Sequence, residues 1–423
     1  MRILLLGSGG REHAIAWKIS QSSLCSELFI APGNAGTASC GSNAAIDIMD
    51  FDEVAAFAKS KKIDMLVVGP EAPLVKGIAD HFKNEAGLKH IRVMGPGSAG
   101  ARLEGSKVFA KAFMEKHDIP TAAYRSFTEK QLNDAIDFIE QGRPPFVIKA
   151  DGLAAGKGVV ISQSKDEAQT VLHSMLEDKL FGDASSTVVV EEFLEGEELS
   201  VFVATDGQTY CMLPSAKDYK RAGENDTGLN TGGMGAVSPV PMADKDLMQQ
   251  IEEQVIIPTI NGLKADRIAY CGFIFFGLMI VNGSPYVIEY NVRLGDPETE
   301  VIIPRLRSDL VQLMLDCCDG NLAGHHADIS PQTAVTVVLC SGGYPGAYQT
   351  GYAVQLPEKP DTGQVFLAGV KESDKCLITA GGRVLAVTAL AGNVKQAVGS
   401  AYSLVKKVNF ENMFFRNDIG KNI

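Results

Sequence analysis

The sequence predicts an α/β and α+β multidomain protein: an N-terminal doubly wound parallel sheet, a central mixed domain and a small C-terminal mixed α/β domain. Three observations lead there. Over residues 1–104 short apolar strands alternate with helical stretches, the pattern of a parallel sheet with its ligand at the carboxyl ends of the strands. Two apolar runs flank Asn282-Gly283, the strongest short signal for a tight antiparallel hairpin. At 423 residues the chain exceeds one ordinary core and suits two or three domains, placed at 1–104, 105–328 and 329–423, with a lid subdomain over about 123–195.

Composition narrows the function. The chain is 45% hydrophobic and therefore globular, and its 51 acidic against 39 basic residues disfavour nonspecific binding to nucleic acid or membranes. An anionic substrate must then be held by local donors. Eight cysteines with no C-x-x-C read as buried free thiols rather than structural zinc. The opening ILLLGSGG reads as a strand running into a glycine turn, and the longest apolar run, 273–281, is too short to span a bilayer, so a cytoplasmic protein is expected.

In the first domain, strands are expected at 3–6, 28–31, 65–68 and 91–94, with helices at 12–20 and 52–59. Gly/Pro-rich loops follow at 7–13, 31–37 and 69–73. A dinucleotide fingerprint fails, because Glu12 occupies the third glycine position and no acidic residue ends the second strand. What remains is a glycine loop opening a helix, suited to a phosphate monoester with Arg11 beside it, or else a plain tight turn.

The central domain begins with a helix through Lys116 that Ser106 caps, followed by a strand at 124–128. Lys149 sits inside an apolar strand, 146–151, where a lysine needs an anionic partner. The strand runs into the glycine-rich loop 152–158, which contains Lys157. This is not a Walker A loop, since three residues separate Gly152 from Gly156 and Gly158 replaces the Ser/Thr. It suits a lid over phosphates, or a flexible hairpin tip. The carboxylate run from Glu191 to Glu198, after a strand at 187–190, suits a purine slot with Glu191 at the base edge and Glu198 at a ribose hydroxyl, or a solvated turn. Polar segments at 217–221 and 230–235 form a long loop, functional or disordered.

A helix at 244–263, hairpin strands at 271–280 and 286–292, and one helix at 301–318 complete this domain. On the second hairpin strand, alternation puts Val287, Glu289, Asn291 and Arg293 on one face and Ile288, Tyr290 and Val292 on the other. Glu289 and Asn291 suit a hard cation such as Mg²⁺, and Arg293 a carboxylate or phosphate. The loop 294–300 adds Asp296, Glu298 and Glu300. A solvated edge strand with a polar loop would look similar. In the third domain, strands at 334–340, 364–368 and 383–390 and a helix at 394–408 carry scattered charges, as in a scaffold or a cover.

Together GSGGREHA (7–14), APGNAGT (31–37), VGPEAPLV (68–75), EGSK (104–107), KADGLAAGKGV (149–159), NTGGMGA (230–236) and RLGDPETE (293–300) resemble the phosphoribosylamine–glycine ligase family of the ATP-grasp superfamily. The resemblance is collinear over the whole chain and implies a central ATP-grasp domain. It also implies ATP-dependent joining of glycine to 5-phosphoribosylamine, releasing ADP and phosphate, in de novo purine synthesis. By the same resemblance ATP would be held by Lys107, Lys149, Gly152, Gly156, Lys157, Gly158, Glu191, Glu192, Phe193, Leu194 and Glu198. Mg²⁺, with Mn²⁺ as the alternative, would sit on Glu289 and Asn291. The phosphoribosyl and glycine groups would meet Gly9, Gly10, Arg11, Glu12, Asn34, Ala35, Gly36, Thr37, Pro70, Glu71, Asp218, Lys220 and Arg293, with Arg293, Asp296 and Lys149 catalytic. The partners implied are small molecules, with a monomeric enzyme and, the amine being labile, a transient channelling partner.

Two departures stand out. Lys217 and Tyr219 replace the family's usual Gln and His, and residues 271–281 carry no carboxylate for the metal. A different ATP-grasp carboxylate–amine ligase is the nearest competing reading, ahead of an NAD-dependent oxidoreductase and a non-catalytic nucleotide sensor.

Overall fold

The first strand, Arg2–Gly7, lies at the centre of a five-stranded parallel sheet. The strands run in the order Ser42–Asn43, Glu27–Pro32, Arg2–Gly7, Met65–Val68, Arg92–Met94. Ile3 to Leu6 are fully buried, as a strand covered on both faces must be. The winding reverses beside this strand, so the glycine loop opens into the crevice where such sheets bind ligands. This computed structural model describes residues 1–153, 158–357, 363–421 and 423, with Asp183 described by its backbone alone.

In the central domain, strands Tyr210–Met212, Glu197–Thr205, Gly272–Val281 and Ser284–Asn291 form an antiparallel sheet in that order. Asn282 and Gly283 both have positive φ, 49° and 81°, the two-residue turn whose twist matches the strands. The simple alternation expected on the second strand is broken. Gly277 pairs with Glu289 but Leu278 with Val287, so Ile288 is the extra residue of a bulge. Val287 therefore turns into the core with Leu278 and Tyr290, while Glu289 faces the cleft.

The lid is a second antiparallel sheet, Tyr124–Thr128, Thr187–Glu192, Phe146–Ala150, Val159–Ser162, covered by helices Leu132–Gln141 and Lys165–Leu176. Phe127, Ile148, Leu172 and Val190 belong to a core of its own. Gly156 and Lys157, from the segment expected to cover phosphates, lie outside the described residues.

Two expectations are corrected and one, the helix from about 244, is refined. The helix expected over 301–318 is two, Thr299–Arg305 and Leu310–Cys318, because Asp309 takes the N–H groups of Val311 and Gln312 and starts the second. The helix expected over 244–263 starts at Lys245, capped by Asp244, and contains a π turn at Glu252–Ile256. The polar segment from 217 is not one loop. Its strands Lys217–Asp218 and Gly235–Ser238 extend the C-terminal sheet through Thr333–Ser341, followed by Arg383–Ala391 and Gln364–Leu367. The C-terminal sheet thus crosses the boundary drawn at 328 and reaches the central cleft. Among the described residues no helix is long and apolar enough to cross a membrane.

Candidate active site

The site forms where the carboxyl end of the first sheet meets the 293–300 loop and the C-terminal sheet. Gly7, at φ 122°, leaves room for the Glu12 side chain, which a Cβ would approach to 2.4 Å. Glu12 folds back beneath the loop, accepting from Gly9 N at 2.6 Å and from Arg11 Nε at 2.6 Å. Arg11 then donates to the carbonyl of Leu294 at 3.1 Å. Glu12 and Arg11 are both buried and tie the glycine loop to the 293–300 loop through Arg11 Nε and Nη1. Gly10 packs on Glu300, where a Cβ would lie 2.4 Å from Oε1.

The second glycine loop is held by its own side chains. Asn34 Oδ1 accepts from Gly36 N at 2.7 Å and Thr37 N at 3.0 Å, while Nδ2 donates to the carbonyls of Ser8 and Leu367, each at 2.8 Å. Ala35 N reaches the Val370 carbonyl at 3.5 Å. Leu367 also donates its N–H to His13 Nδ1 at 2.8 Å, so the C-terminal domain clamps both loops. Pro70 precedes the short helix Glu71–Lys76, which presents Glu71.

Arg293 is the hub. Its Nη2 donates to Glu104 Oε1 at 2.7 Å and Asn291 Oδ1 at 2.9 Å, and its Nε faces Glu71 Oε2 at 3.5 Å. Glu104 Oε2 takes the N–H of Val292 at 2.8 Å. Burial raises the Glu71 carboxyl, but Arg293 and Arg11 outweigh it and hold it below the usual range. Asp296 is fixed from the C-terminal sheet: Arg383 Nη1 lies 3.0 Å from its Oδ1 and donates to its carbonyl at 2.9 Å, and also reaches the carbonyl of Gly232. Burial and the neighbouring Asp296 push the Glu300 carboxyl well above its ordinary value.

On the lid side Lys149, buried as expected, donates to the Ile288 carbonyl at 3.0 Å and pairs with Glu191 at 2.9 Å. Lys111 pairs with the other Glu191 oxygen at 3.1 Å. Glu191 is therefore the anionic partner of two lysines. Lys107 donates to the Gly152 carbonyl at 3.2 Å, and nearby Gly158 O accepts from Ala150 N at 2.8 Å. Glu192 accepts from Ala123 N at 2.9 Å; Phe193 is exposed and Leu194 half-buried. Glu198 pairs with Lys220. Burial and the carboxylates of Glu298, Glu198 and Glu289 push Asp218 up to about 8, with Lys220 opposing. Lys217 pairs loosely with Glu197 at 3.6 Å, and Tyr219 Oη accepts from Gly420 N at 3.0 Å, a packing role.

The donor set fits a hard cation. Burial raises Glu289, but Lys220, Lys149, Lys107 and Arg293 outweigh it and keep the carboxylate ionised, with no direct hydrogen bond among the described residues. Two residues along, Asn291 presents an amide oxygen that now takes only Arg293, and its buried Nδ2 has no partner. No strand carboxylate precedes the hairpin turn, as the sequence shows. Glu198, from elsewhere in the chain, supplies negative charge around the same lysine.

Glu104, Lys111 and Arg383 escaped the sequence reading. Glu104 lies in the EGSK motif, a signal that was there to use. Lys111, on the apolar helix Lys107–Lys116, and Arg383, at the start of an apolar strand, carry none.

Family models cover most of the chain: the N domain of phosphoribosylglycinamide synthetase matches residues 1–104, its ATP-grasp (A) domain 105–299 and its C domain 334–422. A Pasteurella multocida protein named phosphoribosylamine–glycine ligase is 48% identical over 99% of this chain and 97% of its own length. The Escherichia coli K12 protein of that name is 47% identical over 99% and 98%. The crystal structure of the Thermotoga maritima phosphoribosylamine–glycine ligase superposes with a TM-score of 0.87 at 39% identity, covering 99% of this chain and all of that one. A Campylobacter jejuni biotin carboxylase, TM-score 0.74 at 14% identity over 97% and 92%, shares the fold alone.

Proposed function

The chain belongs to the phosphoribosylglycinamide synthetase family, and from that premise we propose that it joins glycine to 5-phosphoribosylamine with ATP, through glycyl phosphate. The observation that carries this reading is the Arg293 hub, which connects the face bearing Glu289 and Asn291 to Glu71 of the nucleophile-side domain.

A carboxylate is a poor electrophile. In the proposed reaction a glycine carboxylate oxygen attacks the γ-phosphorus of ATP, ADP leaves, and the resulting acyl phosphate is attacked at carbon by the amine, which expels phosphate and forms the amide. Lys149 and Lys107 neutralise the transferring group, held by Glu191 and by the Gly152 carbonyl. Mg²⁺ on Glu289 and Asn291 would supply further positive charge at the phosphates. Arg293, already turned into the cleft by Glu104, orients the glycine carboxylate. The glycine loops 7–12 and 34–37, shaped by Glu12 and Asn34, offer backbone N–H groups to the phosphoribosyl phosphate. No covalent enzyme intermediate is needed. We further take the enzyme to act as a monomer, a labile amine giving a reason for transfer from the enzyme that makes it.

Phosphate release from MgATP, with glycine and freshly generated phosphoribosylamine each present or omitted, tests the assignment. Release that requires both supports it. Release stimulated only by another acid and amine keeps the ATP-grasp ligase and removes these substrates.

A further inference from the structure

Three of the eight cysteines converge from distant parts of the chain, away from the cleft. Cys271 immediately precedes the hairpin strand Gly272–Val281, and Cys317 and Cys318 end the helix Leu310–Cys318. The Cys271 sulfur lies 3.7 Å from that of Cys317 and 3.5 Å from that of Cys318, to which it donates its proton. All eight thiols are free.

The three are not equivalent. Cys317 is fully buried and donates to the Thr205 carbonyl at 3.0 Å, whereas Cys271 and Cys318 are both partly exposed. Adjacent residues stand about 3.8 Å apart at Cα, closer than the roughly 4.4–6.8 Å that disulfides span, so Cys317 and Cys318 are poorly placed to pair. Arg92 is fixed by Asp319 through two contacts, 2.7 and 3.0 Å, and lies within electrostatic reach of the Cys318 sulfur. In the Cys271–Cys318 contact the Cys318 sulfur is the acceptor, which leaves its lone pairs, and not those of the donor Cys271, as the nucleophilic side of the pair.

We propose that Cys318 and Cys271 form a reversible oxidation site for hydroperoxides, with Cys318 as nucleophile and Cys271 as resolving thiol. The Cys318 sulfur attacks a peroxide oxygen, the S–O bond forms, the O–O bond breaks, and the departing oxide takes up the Cys318 proton. Cys271 sulfur then attacks Cys318 sulfur, the S–O bond breaks, and hydroxide leaves as water with the Cys271 proton. Two thiols lose two electrons and one hydroperoxide gains them. Hydrogen bonds to Cys317 and Cys318, together with burial, push the Cys271 thiol well above its ordinary value, so Cys318 and not Cys271 meets the peroxide first.

The exposed Cys376 and the partly exposed Cys25 and Cys40 are the competing thiols, so the test uses the protein carrying Cys25→Ser, Cys40→Ser and Cys376→Ser. After hydrogen peroxide, non-reducing peptide mass spectrometry is expected to show a Cys271–Cys318 linked pair, loss of two thiols per chain and full recovery with dithiothreitol. Cys317→Ser should keep the link. Cys271→Ser should leave a dimedone-reactive sulfenic acid at Cys318. A link involving Cys317, unchanged thiols, or a dimedone adduct elsewhere in Cys271→Ser would overturn the proposal.

Discussion

Arg293 and Glu104 stand 189 residues apart in sequence and meet at 2.7 Å. Glu104 ends the helix that follows the first sheet, and its second oxygen holds the Val292 N–H, so one carboxylate sets both the strand and the guanidinium. Glu104→Ala leaves a largely buried arginine short of its nearest anion. The expected cost is roughly 3 kcal/mol of stability, with a raised KM for glycine and an ATP KM within about twofold. Thermal melts and the two KM values check it; an unchanged glycine KM would remove the hub from glycine binding.

Arg383 reaches from the C-terminal sheet to Asp296 and Gly232. Arg383→Ala should loosen the 293–300 loop and lower kcat/KM for glycine and the amine by about thirtyfold, roughly 2 kcal/mol. ATP affinity should hardly move. Arg383→Lys, a point charge without the fork, should restore only part of the loss. Steady-state kinetics with each substrate varied separates this from general destabilisation, which would affect ATP equally.

Lys149 and Lys111 share Glu191 but differ in what they can touch. Lys111 also donates to Thr121 Oγ1 at 2.8 Å and lies on the core side of the pair. Lys111→Met is expected to act on stability, by about 3 kcal/mol, because it strips Glu191 of one partner and also leaves Thr121 Oγ1 and the Ala122 carbonyl without their donor. Lys149→Ala should instead lower ATP turnover by about a hundredfold or more in a protein that stays folded. Circular dichroism melts beside ATPase assays check the division; equal effects in both variants would contradict it.

Much of this was legible beforehand, for physical reasons. The hairpin announced itself through Asn282-Gly283, and Lys149 through its place in an apolar strand, since both signals are local. The bulge at Ile288 was not legible, because register depends on the partner strand: the Val287 side chain points away from Glu289 although the sequence spacing puts them on one face. That Arg11 and Asn34 also hold their own loops was not legible, since a sequence does not show which acceptors a fold brings near a donor. Arg383 was invisible for the same reason.

His13 joins the glycine-loop helix to Leu367, and burial drives its pKa down to about 4. The unfolded chain takes up its proton near 6.5, so between 6.5 and 4 it binds more protons than the folded one. The stabilising contribution is full above pH 6.5 and is lost as pH falls toward 4, by up to roughly 3 kcal/mol. His13→Asn offers an oxygen to the Leu367 N–H and should flatten the fall of Tm across that window. An equally steep fall in the variant would assign the acid sensitivity elsewhere.

In the proposed reaction phosphoryl transfer to glycine precedes amide formation. Turnover of glycine labelled with ¹⁸O in both carboxylate oxygens, followed by mass analysis of the products, tests it most directly. One labelled oxygen should appear in the released phosphate and one should remain in the amide carbonyl. Unlabelled phosphate from a full turnover would contradict the acyl phosphate and the roles assigned to Lys149, Arg293 and Glu289 around it.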